Sequence, residues 1–245
     1  MIAPAIQCDT NHVYTYQGKK YPGVTTILKV LDKSGPLMGW AARQTAEAAL
    51  AVNLDELRAS VGDEGAIKAL TSRSNWKRDE AAQLGTEVHA MADRMITGQL
   101  TDPELFTASR AVHDRVRAYA DWWRHASWTL RASEAMVVHP TFGYGGTLDL
   151  LCRDQDGKTV LADVKTGRGV YKEAVLQLTA YAMASLIQTD TGCYAMPEVD
   201  RYAILHVTAD GVREIEINVG ALEKVAWGAC LDLHQWTVSM EGKKL

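Results

Sequence analysis

Gly145-Gly146-Thr147-Leu148-Asp149-Leu150-Leu151-Cys152-Arg153-Asp154-Gln155-Asp156-Gly157-Lys158-Thr159-Val160-Leu161-Ala162-Asp163-Val164-Lys165 reads as a β-hairpin with charged residues set into two apolar runs. Gly157 is placed for the left-handed residue of a three-residue loop. If the loop is Gln155 to Gly157, Asp154 pairs with Lys158, and the same register carried outward sets Asp149 opposite Asp163. Directly opposed residues of an antiparallel pair share a face, with Cβ atoms about 5 Å apart. Strand alternation puts Lys165 beside Asp163 and turns Val164 inward, leaving the Val164 carbonyl towards the carboxylates. Two carboxylates and a carbonyl are hard oxygen ligands suited to Mg²⁺ or Mn²⁺. An ammonium beside them can stabilise phosphorane-like charge or orient a metal-bound water. The trio therefore reads as a metal-dependent phosphodiesterase site. Asp163-Val-Lys165 also suits an ordinary edge-strand ion pair, but Leu161 and Val164 bracket it, and a charged pair inside an apolar run costs desolvation unless something uses it.

Outward from the hairpin, the pattern predicts an α/β protein. Residues 12 to 28 alternate and break at Gln17-Gly18, which predicts a small hairpin leading into a helix or turn near Thr25. An alanine-rich helix over 40 to 52 and a short helix over 55 to 70 together form a helical insertion. Leu84, Val88, Met91 and Met95 form a helical stripe from Asp79 that ends at Gly98. Pro103 opens another helix, running to 125. Strands follow over 129 to 138, 145 to 153 and 158 to 165, then a helix over 171 to 188 and a loop over 192 to 197. Strands over 201 to 208 and 212 to 219 and a last helix over 221 to 240 complete the order. It gives a mixed central β-sheet flanked by helices, divided as a hairpin and helical region over 1 to 78 and a core over 79 to 245.

The chain has 245 residues, a formal net charge of −4 and four cysteines. That charge argues against coating nucleic acid by bulk electrostatics but leaves room for a local basic groove. Arg73/Lys77/Arg78 and Arg110/Arg115/Arg117 mix with acidic residues and read as solvated helix faces. Lys165/Arg168/Lys172 adjoins the carboxylates and is the stronger substrate-binding candidate. Cys8, Cys152, Cys193 and Cys230 form no Cys-x-x-Cys pair, which suggests neither a zinc site nor a disulfide framework and fits a reducing cytoplasm. The first nine residues lack a basic region followed by an apolar one, and no later stretch reaches a spanning length, so the chain reads as soluble, unexported and without membrane contact.

The ordered set Gly85-x-x-x-His89, Gly146-Thr-Leu-Asp149, Asp163-Val-Lys165 and Gln177-x-x-x-Tyr181 resembles the PD-(D/E)XK nucleases, specifically the RecB-like exonuclease branch with its phage-encoded and CRISPR-associated members. Tyr21-Pro-Gly-Val-Thr-Thr-Ile-Leu28 is similar to the entry segment of the same members. The resemblance implies a restriction-endonuclease-like core and a Mg²⁺- or Mn²⁺-dependent deoxyribonuclease, an exonuclease of phage or bacterial recombination and repair. Within it, Asp149, Asp163 and the Val164 carbonyl would ligate the metal, with His89 as an additional ligand and Lys165 as the catalytic lysine. Gln177 and Tyr181, one turn apart on a helix, would contact the substrate strand or brace the site. Glu134 reads as a surface residue, with a second-carboxylate role as the alternative. DNA ends or single strands are the implied partners, with a recombination or annealing protein, oligomer formation and a host cytoplasm as further expectations.

Two positions depart from the family pattern: Leu148 stands where proline is usual, and Asp163 where glutamate is common. Cys193 and Cys230 are too dispersed for the iron-sulfur cluster of many CRISPR-associated relatives, so no cluster is expected. The enzymatic rival, Ser74-x-x-Lys77 with Lys165-Thr-Gly167 as in penicillin-recognising enzymes, lacks an intervening Ser-Asp-Asn. The non-enzymatic rival is an idle DNA-end-binding or scaffold subunit, and an endonuclease of the same fold is the third reading.

Overall fold

A computed structural model describes residues 5–241, so residues 1–4, on which the reading of the first nine residues partly rests, lie outside the described residues. It divides into two compact units. One joins the residues up to Val30 to those from Glu87 onward, and the other spans Leu31–Thr86.

In the larger unit, β1 (Gln7–Cys8), β2 (Val13–Tyr16) and β3 (Lys19–Pro22) form a three-stranded antiparallel sheet, followed by a short helix α1 (Val24–Ile27). The β2–β3 turn uses Gln17 at φ 50° and Gly18 at φ 75°, the paired positive φ values of a two-residue hairpin turn. A seven-stranded mixed sheet follows, built from β4 (Thr129–His139), β5 (Tyr144–Arg153), β6 (Thr159–Lys165), β7 (Leu186–Thr189), β8 (Gly192–Ala195), β9 (Arg201–Thr208) and β10 (Gly211–Ile217). Its spatial order is β10-β9-β6-β5-β4-β7-β8, and only β6 and β9 pair in parallel. The central place of β6 explains its sequence: Val160 to Val164 are all buried, as a strand covered on both faces requires.

The β5–β6 register runs from Leu150↔Ala162 to Arg153↔Thr159, and the Asp154 N–H donates to the Lys158 carbonyl at 3.0 Å. That is the register expected from the turn residues. One step further out the ladder stops, and the Val164 N–H donates to Asp149 Oδ2 at 2.6 Å instead.

Helices α3 (Leu54–Ile96), α4 (Asp102–Thr107), α5 (Arg110–Ala126), α6 (Lys172–Ala182) and α7 (Ala221–Met240) complete the order with α2 (Ser34–Leu50). One core cluster joins Ala92 of α3 and Tyr119 of α5 to Leu150, Cys152, Val160, Ala162 and Val164 of the central strands. Each fully buried large side chain of this kind contributes roughly 1.5–3 kcal/mol.

Several boundaries differ from expectation. The break predicted between 70 and 79 is helical, because the polar run there contains no breaker; α3 instead divides into two helices at Gly62, at φ 72° and ψ 174°, a conformation cheap only for glycine. The helix predicted from 103 to 125 is two, since Ser109 caps a new one by accepting from the Val112 N–H. The helix predicted to 188 stops at Ala182, and Leu186–Thr189 pairs with β4 as a strand. Residues up to Val30, expected with the helical region, cluster with the core: the Tyr14 hydroxyl meets Thr147 Oγ1 at 2.9 Å and Gly23 bridges Gly145.

The smaller unit contains α2 and the first part of α3. Glu47 ties them, bonded to Arg43 at 2.8 Å and 3.7 Å from Lys77 Nζ. Among the described residues no helix is long and apolar enough to cross a membrane.

Candidate metal centre

The Gly145-Gly146 doublet sets the height of the strand that carries Asp149. A Cβ at Gly145 would lie 2.6 Å from Tyr14 Cβ and Cγ, and one at Gly146 would collide with the Tyr181 ring. Both rings can therefore close on β5 only because side chains are missing there. Tyr181 is 3 % exposed, its ring packed against Gly146.

A chain of hydrogen bonds runs from that tyrosine to the lysine. Gln177 Nε2 donates to the Tyr181 hydroxyl at 2.8 Å, and Lys165 Nζ donates to Gln177 Oε1 at 3.3 Å. The ammonium lies 2.8 Å from Asp163 Oδ1, to which it donates, and 2.6 Å from Oδ2. Asp163 Oδ2 is buried and receives no bond of good geometry among the described residues, so it keeps acceptor capacity.

On the other side, α3 delivers His89. Its Nδ1 lies 3.7 Å from Asp149 Oδ2 and 3.8 Å from Glu134 Oε1. One ligand atom from each of His89, Glu134 and Asp149 falls within 4.8 Å of the others. Glu134, expected at the surface with a second-carboxylate role as the alternative, is exposed and also joins this group. It sits between the pairs Ser133↔Leu150 and Ala135↔Leu148, on a strand whose register already shifts between Leu130 and Ala132. Its φ is 46°, a left-handed conformation that costs a non-glycine residue about 1–3 kcal/mol and collects at functional sites. The signal that could have found it is that register, which brackets Glu134 opposite Asp149.

Electrostatics tie the two halves together. Burial pushes the Asp149 carboxyl up, against the opposing pull of His89 and Lys165. Burial and the Asp149 charge push Asp163 up to about 7 despite Lys165. Burial alone would lower His89, but Glu134 and Asp149 outweigh it and raise the imidazolium to about 9. Lys165 behaves alike: burial lowers it, the two aspartates outweigh that, and the ammonium is held above its ordinary range.

This donor set fits a hard divalent cation. One imidazole and two carboxylates each bring a ligand atom within 4.8 Å of the others, and the buried Asp163 Oδ2 has capacity to spare. Asp163 stands outside the group of three, engaged by Lys165. Val164 lines the adjoining cleft, but its amide rather than its carbonyl is what meets a carboxylate. Arg168 and Lys172 stand exposed, without an ion-pair partner among the described residues.

No family model matches the chain, and no curated protein matches it. Among solved structures, one titled "Crystal structure of SSO0001" aligns at a TM-score of 0.32 and 15% identity, over 53% of this chain and 58% of that one. A likeness at that level carries no argument about fold or function.

Proposed function

We propose that this protein is a divalent-cation-dependent deoxyribonuclease with a restriction-endonuclease-like core, hydrolysing phosphodiester bonds as an exonuclease at DNA ends. One observation carries the reading: a half-buried lysine, clamped between the Asp163 carboxylate and the Gln177 amide, adjoins a histidine and two carboxylates grouped within 4.8 Å. A binding module has no use for an ammonium held in that position. When bound, the cation supplies Lewis-acid activation of water and neutralises charge at the scissile phosphate.

The remaining steps belong to the chain's own residues. His89, Glu134 and Asp149 would hold the cation, with Asp163, engaged by Lys165, standing beside them. In the cation-free site the Lys165 ammonium is stabilised by two carboxylates, placed to orient the attacking water and to stabilise phosphorane-like charge. Gln177 and Tyr181 fix the direction of that ammonium. Arg168 and Lys172 meet the flanking phosphates. A recombination or annealing protein as partner, self-association, and action in a cytoplasm, the host's for a phage-encoded protein, are parts of the same proposal.

The test incubates end-labelled linear DNA and circular DNA with Mg²⁺ or Mn²⁺, comparing wild type with Lys165→Ala and Asp149→Ala. Release of nucleotides from linear DNA by the wild type alone supports the exonuclease. Equal cutting of circular DNA replaces it with an endonuclease, and binding of ends without cutting replaces it with a scaffold.

A further inference from the structure

Asp93 stands four residues after His89 on α3, the spacing that places two side chains on one helix face. It lines one small cleft with His89, Tyr119, Ser133, Glu134 and Asp149. The cleft opens to solvent, and its enclosed part has room for about one water molecule.

Asp93 Oδ1 is shut away from solvent and finds no hydrogen-bond donor among the described residues. An unsatisfied buried acceptor costs about 1–3 kcal/mol, and more when it is charged. Nothing among the described residues repays that cost: neither Tyr119 nor Ser133 donates to it, and Ala92, Ile96, Leu150 and Val164, which complete the cleft wall, offer apolar surface. An apolar residue of similar volume would pack there without penalty. The cleft thus gathers three carboxylates, Asp93, Glu134 and Asp149, against the single imidazole of His89.

Asp93 nevertheless lies outside the group of ligand atoms within 4.8 Å of one another. It is therefore not a direct ligand of an ion seated on His89, Glu134 and Asp149. A small divalent cation such as Mg²⁺ sheds water reluctantly and keeps several waters when bound by a few protein groups. Those waters are strong donors, and an acceptor just beyond the ligands fixes them and so tightens the site.

We propose that Asp93 is a positioning residue for the cation: its Oδ1 accepts a hydrogen bond from a water of the hydration shell of an ion held by His89, Glu134 and Asp149. This rests on the cation-dependent reading above. It accounts at once for the orphaned oxygen, for the empty space beside it and for the spacing from His89.

The experiment titrates Mg²⁺ and, separately, Mn²⁺ into the full chain without DNA, by calorimetry, and follows the melting temperature with and without the ion. Asp93→Leu removes the acceptor and is expected to weaken Mg²⁺ binding by about 10- to 100-fold, while the ion-free melting temperature does not fall. Asp93→Asn, which keeps an acceptor oxygen without the charge, is expected to fall between Asp93→Leu and wild type. Binding by both variants within about twofold of wild type overturns the role of Asp93 alone, since Asp149→Ala still abolishes binding in that case. Weakened binding with an equally lowered ion-free melting temperature in both variants marks a structural residue and also overturns it. A wild type that binds neither ion removes this role together with the cation-dependent reading.

Discussion

The β5–β6 hairpin carries a buried aspartate paired with a cation near each end, and the two pairs are built on opposite plans. At the turn, Asp154 receives the N–H groups of Asp156 at 3.0 Å and Lys158 at 2.9 Å, and Arg201 Nη1 at 2.7 Å. Arg201 above all, against a smaller desolvation cost, holds that carboxyl below its usual range. The residue is only 8 % exposed, yet it lies under a thin cover of turn and arginine, so water's loss costs it little. At the open end, Asp163 is 1 % exposed and paired with Lys165 beside a second carboxylate, and it is pushed up to about 7. A fully satisfied pair is structural. An under-satisfied one stores an electrostatic deficit that an added cation relieves.

Four measurements can break or sharpen that contrast. The largest effect is expected at the open end: Lys165→Ala lowers the single-turnover cleavage rate by about a thousandfold or more, with DNA-end binding retained. At the turn, Asp154→Asn should do the reverse, lowering the melting temperature by several degrees in calorimetry while cleavage below the transition stays within about twofold of wild type. A large catalytic loss there erases the distinction between the two ends.

Next comes pH. Asp163 rises from 3.8 to about 7 and His89 from 6.5 to about 9, so both bind protons more tightly in the folded state. Such groups contribute stability that is complete below the unfolded pKa and lost as pH climbs through the folded one. The cation-free protein should therefore melt at a higher temperature at pH 5 than at pH 8, and saturating Mg²⁺ should narrow the gap by stabilising the deprotonated site. A flat profile contradicts the deficit at Asp163. Smallest is Gln177→Ala, which frees the Lys165 ammonium from one bond and should slow cleavage about fivefold, near 1 kcal/mol.

The turn end was legible from sequence because its determinants are local. Gly157 at φ 79° and the Asp154 turn fix the register within a few residues. The open end was only half legible. Asp149, Asp163 and Lys165 follow from that register, but Glu134 enters through a shifted strand and a left-handed backbone, which no alternation pattern reveals. Asp93 escaped for another reason: on a helix stripe it looks like any polar residue, and only the three-dimensional absence of a donor singles it out. The end of α6 and the strand Leu186–Thr189 were illegible because pairing with β4, remote in sequence, overrides helix propensity there.

The doublet Gly145-Gly146 has a consequence for how this centre can be lost. Tyr14 presses on one glycine and Tyr181 on the next, and Tyr181 is also the far end of the bond chain that aims Lys165. A single methyl group at either position must displace a ring, and at Gly146 that ring is coupled through Gln177 to the ammonium. On the function proposed above, silencing can thus begin at a residue that touches neither cation nor substrate, and a chain that keeps His89, Asp149, Asp163 and Lys165 intact can still be mute because a strand has become one carbon too thick.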